Sequence, residues 1–95
     1  MATLQVTTYS LRVGVSDESF IAADAVLQEW TYLNVPGIAR RTTARGRDGN
    51  WITIRLYEDA SSSGTHWFDS PDDAVVEWRA MVEESSIDSC DYELL

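Results

Sequence analysis

Residues 20–41 read FIAADAVLQEWTYLNVPGIARR, and their periodicity decides the fold. Phe20, Ala23, Leu27 and Trp30 recur at three- and four-residue steps, so they share one face of an amphipathic helix. Burying Phe20, Leu27 and Trp30 would contribute about 1.5–3 kcal/mol each. Just upstream, Ser16 is a suitable N-cap. Asp17 and Glu18 follow in the first turn, where the helix dipole favours acids. At the far end Pro36 stops the helix and Gly37 lets the chain turn into a strand. Asp24 and Gln28 lie one turn apart at the border of the apolar face, where polar residues are ordinarily solvated flanks.

The flanking segments read as strands. Residues 3–13, TLQVTTYSLRV, are rich in β-branched and aromatic types. Residues 37–46, GIARRTTARG, form a second strand, and Asp48-Gly49-Asn50 is a hairpin turn signal. Residues 51–58, WITIRLYE, alternate cleanly. Ile52, Ile54 and Leu56 face one way and suit the underside of the helices. Trp51, Thr53, Arg55 and Tyr57 face the other, and this set is too aromatic for a wet surface. Residues 59–69, DASSSGTHWFD, have the serines and glycine of a loop, although a short helix ending at Trp67-Phe68 is also compatible. Ser70-Pro71-Asp72-Asp73 is a helix start with a serine N-cap and proline at the first position. Val75, Trp78 and Val82 or Met81 give that helix its apolar stripe. Residues 88–95 alternate again as a fourth strand, with Cys90, Tyr92 and Leu94 on one face.

This order makes two β-α-β halves around a central hairpin. The expected fold is a ferredoxin-like α+β sandwich, β-α-β-β-α-β, with a four-stranded antiparallel sheet and both helices on one face. All 95 residues form a single domain (1–95), too short for a second core.

Charge narrows the partners. The net charge is -9, with 7 Arg, no Lys and 16 acids. Eleven of the acids lie in residues 58–95. Such a surface repels phosphate backbones and anionic lipid, so neither nucleic acid nor membrane is expected as a partner. A single Cys excludes an internal disulfide and a thiolate zinc site, and no metal site is expected. Met1–Ser10 lacks the pattern of a signal peptide, and a cytoplasmic location is the default.

Taken together, Phe20 through Gln28 to Pro36-Gly37 and Arg41, then Asp48-Gly49 and Trp51, resemble the dimeric α/β-barrel superfamily. More narrowly, they resemble small proteins related to antibiotic-biosynthesis monooxygenases. The Asp59-Ala60 pair, the Asp69-Ser70-Pro71 corner and Ile87-Asp88 match similar steps. The resemblance implies a helix over Asp59–Phe68 and a homodimer in which two bare sheet faces meet. That dimer would cover the aromatic set on residues 51–57. It also implies a small-molecule ligand, and its range of activities includes cofactor-free oxygenases, isomerases and haem-degrading enzymes. Haem-degrading relatives use a helical His with a first-strand Asn and a Trp. Here the first strand offers Gln5, Thr7 and Thr8 but no Asn, so no cofactor is expected.

The resulting expectation is a small homodimer that binds a small organic molecule and acts as a cofactor-independent monooxygenase or isomerase. The alternative is a non-catalytic dimeric module. Asp24 and His66 are the candidate general bases, if a cleft desolvates either. Tyr9, Gln28, Trp51, Arg55 and Tyr57 are the candidate ligand-binding residues, with Arg55 supplying charge-assisted hydrogen bonds. The competing expectations are that Arg55 pairs with an acid across the dimer and that Arg40, Arg41, Arg45 and Arg47 guard an edge strand. Cys90 is expected as a small core residue.

Overall fold

Ser16 begins the long helix as its spacing implies, its hydroxyl accepting a hydrogen bond from the Ser19 amide at 3.1 Å. The computed structural model describes residues 2–58 and 67–95. The elements are β1 (Thr3–Tyr9), α1 (Asp17–Asn34), β2 (Ile38–Arg45), β3 (Trp51–Tyr57), α2 (Asp73–Met81) and β4 (Asp88–Glu93). Short 3-10 turns at Trp67–Asp69 and Glu84–Ser86 flank α2. The strands form one antiparallel sheet in the order β2-β3-β1-β4. This is the expected ferredoxin-like α+β fold. Gly37, with φ of 78°, makes the corner after α1 in a conformation that favours glycine. The expected helix over Asp59–Phe68 falls mostly outside the described residues; Trp67 and Phe68 themselves sit in a 3-10 turn.

Helix α2 starts later than expected. Its N-cap is Asp72, and the Ser70 hydroxyl instead accepts from the Asp72 amide at 3.2 Å. Trp30 on α1 donates its indole N–H to Asp72 at 2.8 Å, which ties the two helices together.

The core gathers Tyr9, Phe20, Leu27, Trp51, Val75, Trp78 and Val82. Phe20 meets Trp51 edge-on at 4.8 Å, and Tyr9 meets Trp78 at 5.3 Å. These packings place the odd-numbered residues of β1 and β3 beneath the helices, which reverses the expected faces of β3. Trp51, Thr53, Arg55 and Tyr57 are buried under α1 and α2. The aliphatic residues Ile52, Ile54 and Leu56 lie on the opposite face, only partly covered, beside Leu4 and Val6. Thr53, a polar member of the buried set, is tolerated because it finds partners there. Tyr9 and Thr53 share a hydrogen bond at 2.6 Å, and Thr53 meets Thr43 at 3.0 Å.

Three further expectations are corrected. Arg41 is no edge guard: it is fully buried in an ion pair, whereas Arg40, Arg45 and Arg47 are exposed on or beside edge strand β2. Cys90 is exposed, because β4 is a sheet edge and all six of its residues are open to solvent. Arg55 does not face the aliphatic side of the sheet, so it is not placed to pair with an acid across that face.

Candidate functional site

Register brings the site together. Arg55 on β3 pairs with Gln5 on β1, and Thr7 on β1 pairs with Ser89 on β4. All four side chains point to the helix-covered side of the sheet, where they form a polar floor. The Thr7 and Ser89 hydroxyls hydrogen bond at 2.8 Å. Gln5 donates to Asp91 at 3.2 Å. Above the floor, Trp67 and Phe68 descend from the turn before α2, Trp78 from α2 itself, and Ile87 from the segment before β4. Together they line a half-open cavity of about 160 Å³.

Arg55 dominates the chemistry of this cavity. The residue is 2% exposed, and its guanidinium stacks on the Trp67 ring at 4.4 Å. Among the described residues it has one side-chain acceptor, the Thr7 hydroxyl at a long 3.5 Å, and its Nε has none. Burial, reinforced by the nearby Arg41 cation, pulls its pKa down to about 10. The group therefore stays charged at neutral pH, and among the described residues no carboxylate pairs with it.

Arg41 is compensated. Its Nη2 and Nη1 donate to the two Asp24 carboxylate oxygens at 2.7 and 3.2 Å, and Nη1 lies 3.4 Å from the Gln28 amide oxygen. Trp78 donates its indole N–H to Asp24 at 2.9 Å. Asp24 is thus 8% exposed and held by three N–H donors, where a solvated flank residue was the ordinary expectation. It sits on the stripe Phe20, Asp24, Leu27, Thr31, which is the buried face of α1. The carboxylate fixes Trp78, and Trp78 is a wall of the cavity.

The remaining sequence candidates are dispersed. Tyr9 and Trp51 belong to the core, packed on Phe20. Tyr57 is 1% exposed, at the opposite end of β3 from Trp51. Gln28 lies beside the Asp24–Arg41 pair and away from the cavity. His66 lies outside the described residues. Of the ligand-binding candidates, only Arg55 lines the cavity. Sequence reasoning passed over Thr7, Ser89, Trp67 and Trp78 as site residues. The Trp67-Phe68 pair next to a helix start was the available signal for two aromatic walls.

Burial raises the phenol pKa of Tyr9, with the Thr53 hydrogen bond opposing, and burial likewise raises that of Tyr57, with Arg55 opposing. A raised folded-state pKa means the native state holds its proton longer than the unfolded chain. Stability from these groups is intact below about pH 10 and falls as the pH rises through the folded values. Tyr9→Phe is expected to cost about 1 kcal/mol at neutral pH, through the lost hydrogen bond. It should also flatten the alkaline decline, as measured by urea unfolding across pH 8–11.

No family model matches the sequence, and no curated protein matches it. Solved structures do. SnoaB, a cofactor-independent oxygenase from Streptomyces nogalater, superposes with a TM-score of 0.72 at 15% identity, over 99% of this chain and 93% of that one. A protein from Nitrosomonas europaea described as a candidate antibiotic biosynthesis monooxygenase gives 0.70 at 17% identity, over 98% of both chains. A dimeric protein of unknown function and ferredoxin-like fold from Bacteroides fragilis gives 0.64 at 13%, over 98% of this chain and 96% of that one. At such identities the likeness is one of fold. The chain shares the fold of these three proteins.

Proposed function

We propose that the chain works as a homodimer that binds a small organic molecule in the Arg55 cavity and acts on it as a cofactor-independent oxygenase. The observation that carries this reading is the buried Arg55 guanidinium, without a carboxylate partner among the described residues, at the wall of an aromatic-lined cavity. The likeness in fold to SnoaB supports the choice of reaction.

The chemistry follows from the charge. A substrate anchored on Arg55 by an anionic group presents its enol or phenol hydroxyl to the rest of the cavity, where a base removes the proton. The electron-rich anion passes an electron to O2, and the resulting radical pair combines to form a carbon–oxygen bond. At a methylene carbon, the peroxide then loses water to leave a carbonyl. One O2 is consumed, with one oxygen atom retained in the product and one released as water. Trp67 and Phe68 shield one side of the anion from bulk water. Asp24, expected from the sequence as a base, serves here to position Trp78 and Arg41. His66, which precedes Trp67 in the sequence, is the candidate base.

Oxygen uptake by the chelator-treated protein with a panel of easily ionised phenols and cyclic 1,3-diketones tests the reading. Uptake above the protein-free rate, one oxygen atom retained in the product, and loss of both in Arg55→Met are the expected results. A second reading, a binding module without turnover, is favoured by one observation. Among the described residues, the cavity is lined by no carboxylate or imidazole. Tight binding with no oxygen uptake by any member of the panel would select it.

The dimer in this proposal uses the aliphatic sheet face. Leu4, Ile54 and Leu56 border a hollow of about 220 Å³ there, with Arg40 and Thr42 at its rim. A partner's sheet laid on this face would remove the aliphatic surface from water. Ile54→Glu would leave a carboxylate in a dry interface and is expected to give a folded monomer in light scattering. Trp51→Glu or Tyr57→Glu, on the covered face, should instead unfold the chain. A wild-type monomer at micromolar concentration would count against the dimer.

A further inference from the structure

Arg41, Arg55 and Asp24 are all buried beneath the helices, and two cations face one carboxylate. Asp24 is fully committed to Arg41 and Trp78, so one positive charge, on Arg55, is left without a counter-ion among the described residues. A buried charge in that position is costly unless a ligand supplies its opposite. The cavity beside it holds about 160 Å³. That is close to the roughly 150 Å³ of an engineered apolar cavity that accepts benzene. Phe68, Trp78 and Ile87 give the apolar walls for one ring, while Gln5, Thr7 and Ser89 line its polar floor.

We infer that the ligand is a monocyclic aromatic or similarly flat carboxylic acid, its carboxylate paired with Arg55 and its ring seated among Phe68, Trp78 and Ile87. This rests on the proposed use of the cavity and adds the class of molecule that fills it. One negative charge balances the one buried cation that has no counter-ion among the described residues, which a phosphate dianion would exceed. A planar carboxylate matches the planar donor fork of a guanidinium. Trp67 already occupies one face of that guanidinium, so the acid meets it edge-on rather than by stacking. A three-ring system would have to project from the open side of the cavity, outside its apolar walls.

Calorimetric titration of the whole protein with benzoate, benzamide, 1-anthroate, acetate and inorganic phosphate tests this. Benzoate is expected to bind about tenfold to a hundredfold more tightly than the neutral, isosteric benzamide, the range for hydrogen bonds to a charged group. Acetate, phosphate and 1-anthroate should each be at least about tenfold weaker than benzoate, for want of a ring, of a matching charge and of room respectively. Arg55→Met, checked for retained circular dichroism and unchanged mass in solution, should abolish the preference for benzoate over benzamide, and Arg55→Lys should restore part of it. Equal binding of benzamide and benzoate would overturn the inference while leaving a small-molecule cavity in place. Phosphate binding as tightly as benzoate would overturn it in favour of a plain anion site. No binding by any probe would overturn both the inference and the proposed use of the cavity.

Discussion

Asp24→Ala is expected to destabilise the protein by about 3–5 kcal/mol, the usual cost of removing one partner from a buried ion pair. The substitution leaves Arg41 buried without a counter-ion and the Trp78 indole N–H without its acceptor. It also opens the contact between α1 and α2 at its centre. Asp24→Asn keeps one acceptor oxygen of similar shape and should cost less, though it turns an amide N–H towards a cation. Urea unfolding at neutral pH measures both. A loss below about 1 kcal/mol for Asp24→Ala would mean that the pair relaxes into solvent and does not hold the cavity wall. The complementary change, Asp24→Ala with Arg41→Met, should recover much of the loss, because a hydrophobic replacement of a whole buried pair is often nearly neutral.

Arg55→Met should act in the opposite direction on stability. The native state keeps this guanidinium charged at neutral pH against a pKa drawn down by burial to about 10. The unfolded chain keeps its ordinary, higher value. At neutral pH the fold therefore carries the cost of the buried charge, and that cost lifts only as the pH rises through about 10, where the native state releases the proton first. Methionine fills similar space without the charge and is expected to raise unfolding free energy by about 1–3 kcal/mol. Stability gained on removing a buried side chain is the mark of a residue kept for binding rather than for the fold. A clear loss of stability in Arg55→Met would show that the residue has compensating contacts and is structural.

Much of the architecture was legible in the sequence because it depends on local signals. Ser16 and Pro36-Gly37 bracket α1, and Asp48-Gly49 marks the hairpin, where Gly49 takes a φ of 86°. The alternation in residues 51–57 separated two faces correctly but could not say which one the helices cover. An aliphatic set beside a mixed aromatic and polar set usually means the aliphatic side is the core. Here the mixed set wins, because Trp51 packs on Phe20 and Thr53 meets Tyr9 and Thr43, partners that no local pattern reveals.

The same limit hid Arg41. Arg40 and Arg41 are adjacent in sequence and point to opposite sides of the sheet, and only the tertiary position of Asp24 distinguishes them. Asp24 itself was more legible than its flank assignment suggested. Phe20, Asp24, Leu27 and Thr31 follow the helical repeat as closely as the stripe through Ala23 and Trp30, and a carboxylate on that line implies a buried cation opposite. Of the site, Arg55 could be singled out from the sequence. Its companions Thr7 and Ser89 come from strands about eighty residues apart in the chain, and nothing local links them.

We propose that the cavity at Arg55 is where the protein takes its ligand. The most direct measurement is a crystal structure of the protein grown with a saturating ring acid such as 4-hydroxybenzoate. The expected result is density for one molecule between the β1–β3–β4 floor and Trp78, with its carboxylate within hydrogen-bond distance of the Arg55 guanidinium. A cavity left without that molecule, with Arg55 paired to a carboxylate of the chain's own, would contradict the account.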